Sequence, residues 1–266
     1  MQTSPSSAPM TSEPADPILQ MGEGLDHYMK AADETAAELL SGDDELVSAL
    51  RRYDSYMRRD LLQHAVKSPG LGFVLSMNAC MMFLAGARMA LSGHSAAVFP
   101  LLRTALESAS YAVLIERDPA LSDVWTRRHR SDADKKACRK AFTFEQGAAF
   151  LKTTAPDIYG LAKEAYEGAI DYGAHPNVKG VAGHLSIDDE RDDNYTTVTL
   201  TALYGSTHIE TVRGLCACLD FGLSIIGLIA LAHPEPTNQL VEDLQKLSDI
   251  KNEATDRYRP PELEEE

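Results

Sequence analysis

The chain reads as an all-α protein, a multi-helix bundle with one small β-hairpin insertion. Apolar residues recur at helical spacing through most of its 266 residues, three stretches are apolar on nearly every side, and one segment alone, about 183–202, switches to strict alternation. With 44% hydrophobic residues the chain can bury a substantial core. We expect a disordered leader over 1–16, a single helical-bundle domain over 17–256, and an acidic disordered tail over 257–266.

Residues 1–16 carry neither a basic start nor an apolar run, so no signal peptide or anchor is read there. From Pro17 to Leu40, Ile18, Met21, Leu25, Met29, Ala32, Ala36 and Leu39 fall on one helical face, which ends near Ser41 and Gly42. Ser41 with Asp43, Asp44 and Glu45 offers a cap and first-turn acids for a second helix, striped by Leu46, Leu50, Tyr53, Met57, Leu61 and Ala65. Ser68, Pro69 and Gly70 stop it. A third helix, Leu71 to about Ser92, is apolar almost all round and belongs at the centre.

The stretch from His94 to Pro119 predicts the central helix. At about 100° per residue, Phe99, Leu102, Leu106, Ala109 and Val113 form one stripe, widened by Leu101, Ala105, Ala112 and Leu114. Arg103 and Glu107, four apart, lie on one edge of it, where burial demands pairing or further hydrogen bonds. After Pro119 comes the chain's dense positive charge: Arg127, Arg128, Arg130, Lys135, Lys136, Arg139 and Lys140. One or two short solvated helices are expected here, anchored by Trp125 and Phe142. A short helix over Phe144 to Lys152 and a firmer one from Pro156 to Tyr172 follow, the latter closed by Gly173 in a left-handed cap.

His175 precedes a proline and is therefore pushed into an extended turn. Leu185 with Ile187, and Val198 with Leu200, alternate with polar residues around an acidic tip from Asp188 to Asn194, the pattern of a hairpin. Thr207 and Glu210 form a capping box before an apolar helix that ends near His233 and Pro234. A last amphipathic helix runs through Leu240, Leu244, Leu247 and Ile250.

Charge and composition limit the function classes. Forty acidic against twenty-five basic residues, a net charge of -15, oppose non-specific binding to nucleic acid or to anionic membrane surfaces. Leu71 to Ala87 and Leu215 to Ala232 approach the roughly 20-residue length of a membrane span. Asn78 and Asp220 within them, and the lack of a one-sided Lys/Arg excess, favour bundle helices in a cytoplasmic protein with no membrane contact. Cys80, Cys138, Cys216 and Cys218 are expected as reduced thiols, with the last two in the core. No pair among the eight histidines has a spacing of three or four, so no metal and no cofactor is expected.

Two constellations can carry chemistry. Tyr172, His175 and Asn177 sit on a turn leaving a helix, and a histidine held there is a candidate base or ligand. In the competing reading His175 only bonds nearby backbone and fixes the turn, as Arg103 and Glu107 can be a structural pair. Convergence of Arg103, Glu107, Tyr172, His175 and Asn177 in one polar pocket would make a binding or acid-base site. Arg127, Arg128 and Arg130 offer a phosphate contact to a nucleotide or RNA, with a solvated helix surface or an acidic protein partner favoured by the total charge.

The pattern LLRTALESASYAVLIERDP, followed about sixty residues later by YGAHPN, resembles an uncharacterised bacterial helical-bundle family, itself similar to the HEPN superfamily. The likeness covers about residues 71–232. HEPN ribonucleases carry an arginine, then a polar residue, then a histidine after four to six intervening positions, for metal-independent RNA cleavage. Arg59, Asp60 and His64 fit that pattern, although in an earlier helix than the motif's usual place. The resulting expectation is a ligand- or partner-binding module acting on a small molecule, RNA or protein. The alternative is a HEPN-like ribonuclease of a toxin or defence system using Arg59 and His64. An apolar helix of this kind also offers a route to a homodimer.

Overall fold

The computed structural model describes residues 24–67, 70–174, 178–188, 196–232 and 238–258. The leader, the start of the first expected helix, His175, Asn177, the hairpin tip and the acidic tail from residue 259 lie outside them. In chain order the α-helices are α1 (Leu25–Ser41), α2 (Glu45–Tyr56), α3 (Leu62–Ala65), α4 (Leu71–Leu91) and α5 (Ser95–Arg117). Then come α6 (Leu121–Thr126), α7 (Asp132–Ala141), α8 (Phe144–Ala148), α9 (Leu151–Thr154), α10 (Pro156–Ala169) and α11 (Val178–Ala182). A hairpin of β1 (Leu185–Asp188) and β2 (Thr197–Leu200) precedes α12 (Ile209–Ala232) and α13 (Asn238–Asp256). The fold is all-α with one two-stranded insertion.

Local chemistry explains the boundaries. Asp44, not Ser41, caps α2: its carboxylate accepts the Val47 N–H at 3.1 Å, while Ser41 is the last residue of α1. A capping side chain must sit just ahead of the first free N–H groups, and Asp44 does. Between α2 and α3 the helix widens into a π turn, Met57–Leu61, where the Leu62 N–H bonds the Met57 carbonyl. The expected helix from Phe144 to Lys152 is divided into α8 and α9. At α12 the cap is His208 rather than Thr207. The His208 carbonyl accepts the Val212 N–H and its ring Nδ1 accepts the Glu210 N–H, each at 3.1 Å, while the Glu210 carboxylate pairs with Arg213. In the hairpin Leu185 faces Leu200 and Ile187 faces Val198, the register the alternation implies.

The centre is a trio of α4, α5 and α12, whose Phe83, Leu102, Leu106, Val113, Leu219 and Ile226 are almost wholly buried. Ser95 at the start of α5 donates to the Glu210 carbonyl at the start of α12, at 2.8 Å. Along α12, Gly214 lies against Ala90 of α4 and Gly222 against Phe83. Eight residues forward on α12 thus match seven back on α4, so these two run antiparallel and α12 runs parallel to α5. Around the trio, α2 and α13 cover one flank, joined by the buried Tyr53 hydroxyl donating to the Leu247 carbonyl at 3.1 Å. On another flank α10 packs on α12 and α5. Phe142, with half-buried Trp125, Val124 and Leu121, seats α6 and α7 on Leu75, Ala112 and Ile115, the anchoring expected of the basic segment. Arg257, expected in the tail, instead reaches Asp44 and Glu45 at 3.5 and 3.4 Å.

The cytoplasmic placement expected from the sequence is overturned here. Three helices, α4, α5 and α12, with 21, 23 and 24 residues, are each long and apolar enough to cross a membrane. At 1.5 Å per residue they measure about 32–36 Å, against a hydrocarbon core of about 30 Å. Asn78 and Asp220 did not justify discounting them, because both have partners: Asn78 donates to the Ser108 hydroxyl at 2.8 Å, and Asp220 accepts from Lys251 at 2.7 Å. Satisfied polar groups weigh little against a span. Of the trio α12 is the most enclosed by protein and α4 the least, with Val74, Met77 and Met81 exposed on its outer side.

Candidate functional site

Arg103 and Glu107 meet as the spacing of four requires, Nε donating to Oε1 at 3.0 Å. The third member is Tyr166 of α10. Its hydroxyl donates to Glu107 Oε1 and accepts from Arg103 Nη2, both at 3.2 Å, closing a three-way cluster. The Tyr166 ring stacks on Phe144 of α8, centroids 4.3 Å apart and 9° from parallel, and the Arg103 guanidinium lies 5.1 Å from its centre. Burial pushes the Tyr166 pKa up and the Glu107 carboxylate adds to this, so the phenol stays a donor at neutral pH. These three bonds tie α5 to α10, and the ring stack holds α8 against α10.

One helical turn before Arg103, Phe99 borders a cavity of about 490 Å³ between α5, α10, α11 and α12. Phe99, Leu161, Tyr172 and Phe221 supply an apolar and aromatic lining. Small side chains make the room, with Ala165 and Gly168 on α10 and Gly214 and Ala217 on α12; a Cβ placed on Gly168 would meet nothing within 4 Å. The rim is charged, with Glu164, Lys179, Glu210, Arg213 and Asp220, and His184 also lines it. His184 shares a 2.8 Å hydrogen bond with the Tyr204 hydroxyl, and Tyr204 stacks on His208, centroids 4.4 Å apart.

The helix end expected at Gly173 shapes this cavity. After Ala169 the chain widens into a second π-helical segment, Ile170–Ala174, and Gly173 adopts a φ of 150°, a value open to glycine and strained for other residues. That turn swings Tyr172 onto Phe99, ring centroids 5.8 Å apart, with Lys179 Nζ 5.8 Å from its centre.

Of the five residues expected to share one polar pocket, Arg103, Glu107 and Tyr172 are described. Arg103 and Glu107 close on Tyr166 and do not line the cavity, Tyr172 does, and His175 and Asn177 lie outside the described residues. Arg59 sits on the first π turn, exposed, while His64 is half-buried in α3; neither borders the cavity. Arg127 pairs with Asp123 on its own helix face, and Arg127 and Arg130 are exposed beside a half-buried Arg128. All four cysteines are unbridged, with Cys80, Cys138 and Cys218 buried and Cys216 half-buried. Among the described residues no group of three or more His, Cys, Asp or Glu is placed to hold a metal ion.

Sequence reasoning missed Tyr166, Glu164, Gly168, Lys179, His184 and Arg213. A signal for the cavity was present: Leu161, Ala165 and Gly168 share one face of α10, Tyr172 follows at the next helical spacing, and two of the four are too small to fill a helix interface. Fold and site together define an all-α helical bundle that carries a part-apolar cavity beside a half-buried polar cluster. No family model, curated protein or solved structure matches the chain.

Proposed function

We propose that this protein is a binding module whose cavity between α5, α10 and α12 takes a small organic molecule. The observation that carries this reading is the cavity itself: about 490 Å³, with apolar and aromatic side chains and several charged ones in its lining. Ligand pockets run roughly 300–1,000 Å³ and combine an apolar lining with a few converging polar groups. The Arg103–Glu107–Tyr166 cluster serves as a strut, holding α10 at a fixed distance from α5 so that the space stays open. The test uses the neutral fluorescent probe N-phenyl-1-naphthylamine. One saturable site is expected, and Gly168→Leu, which fills the cavity from an open backbone position, abolishes it. Equal binding by wild type and variant would sink the reading.

A second reading, a HEPN-like ribonuclease, draws support from the π turn that carries Arg59, since such turns concentrate at functional sites. It requires metal-independent cleavage of mixed RNA that Arg59→Ala abolishes. Intact RNA after incubation with the wild-type protein would remove it.

A further inference from the structure

The charges around the cavity rim are almost all matched. Lys179 Nζ donates to Asp171 Oδ2 at 2.6 Å, Arg213 pairs with Glu210, and Asp220 is held by Lys251 Nζ at 2.7 Å. Glu164 is the exception: it is the lining carboxylate for which no hydrogen bond or ion pair occurs among the described residues. It stands on α10 one turn before Gly168 and lines the same cavity as the aromatic rings of Phe99, Tyr172 and Phe221. An anionic ligand would meet only cations that already have carboxylate partners, and would face Glu164 with like charge. An ammonium or amidinium group gains both the open carboxylate and the negative faces of the rings.

We infer that the cavity selects an organic cation with an apolar body, its charged head on Glu164 and its body against Phe99, Tyr172 and Phe221. This rests on the cavity being a binding site, and it adds the chemical class of the ligand. A matched set tests it by calorimetry: 3-phenylpropylamine, 3-phenylpropan-1-ol and 3-phenylpropionate share one apolar body and differ in charge. The amine is expected to bind about tenfold more tightly than the alcohol, with the acid weakest, and the amine's advantage should shrink as salt is raised. Glu164→Gln, at an exposed position, should remove the amine's advantage over the alcohol. If amine and alcohol bind the wild type equally, or if the acid binds best, the cation assignment is overturned while the cavity survives as a site. If none of the three binds, or if Gly168→Leu leaves all three affinities unchanged, the cavity reading and this inference fail together.

Discussion

At the residue scale, the Arg103–Glu107–Tyr166 cluster shows how burial dictates pairing. Arg103 and Glu107 side chains are only 20% and 28% exposed, so losing one partner leaves a largely desolvated group without its bond. Glu107→Gln and Tyr166→Phe are each expected to cost about 1 kcal/mol in chemical denaturation. The two changes touch the same oxygen, so the double variant should lose less than the sum; strict additivity would show that the tyrosine does not belong to the cluster. His94, ahead of α5, supplies a pH dependence. It shares a 2.9 Å hydrogen bond with Ser92 and meets the edge of Tyr28 at 5.1 Å. Burial, with the nearby Arg88 charge second, lowers its pKa from the ordinary 6.5. A histidine more easily protonated when unfolded favours the folded state above the unfolded value and loses that contribution as pH falls through the lowered folded one. Stability should therefore drop on acidification below about 6.5, and His94→Gln should flatten that part of a melting-temperature profile against pH.

At the element scale, two substitutions test how the helices begin and dock. Removing the cap with Asp44→Ala should cost about 1 kcal/mol. Gly222 of α12 allows Tyr53 and Phe83 to close on the helix backbone, since a Cβ there would lie 2.6 and 3.0 Å from their rings. Both rings are fully buried, so Gly222→Ala should destabilise by about 1–3 kcal/mol by forcing a well-packed core apart, despite alanine's higher helix propensity. A neutral or stabilising result in denaturant titration would refute that packing. These elements were legible in the sequence to different degrees. Long apolar periods gave the bounds of α4, α5 and α12 to within about two residues and the existence of α13, and alternation gave the hairpin, whose register the structure supplies. The cap of α12 was misassigned because Thr207 with Glu210 matches a box that His208 pre-empts with its own ring nitrogen. Neither π turn has a period that distinguishes it from ordinary helix. The Arg103–Glu107 pair could be read because its spacing is local, whereas Tyr166 lies 63 positions from Arg103 in the chain and only packing brings it there. The cavity escaped notice because it is made by what α10 and α12 lack, and absent side chains leave no polar motif.

At the scale of the whole molecule, the parallel start of α5 and α12 and the antiparallel return of α4 give three apolar helices of similar length with their ends level. Arg103 and Glu107 fall near the middle of α5 and turn inward to Tyr166, the placement that a charged pair within a span requires. The outer side of α4 carries no charged residue from Leu71 to Ala87, and Arg88, which ends that run, is paired with Asp33 of α1. Val74, Met77 and Met81 thus offer an exposed apolar strip of about 10 Å on a helix that is itself about as long as a bilayer's hydrocarbon core is thick. The expected outcome is that the full chain sediments with membranes and is released by detergent, not by high salt or alkaline wash. Met81→Glu, at a site 65% exposed where the bundle loses nothing, should shift it toward the aqueous fraction, because a carboxylate facing lipid is strongly disfavoured. Full recovery of the wild-type chain in buffer without detergent would show instead that these helices serve only to fill the protein's own interior.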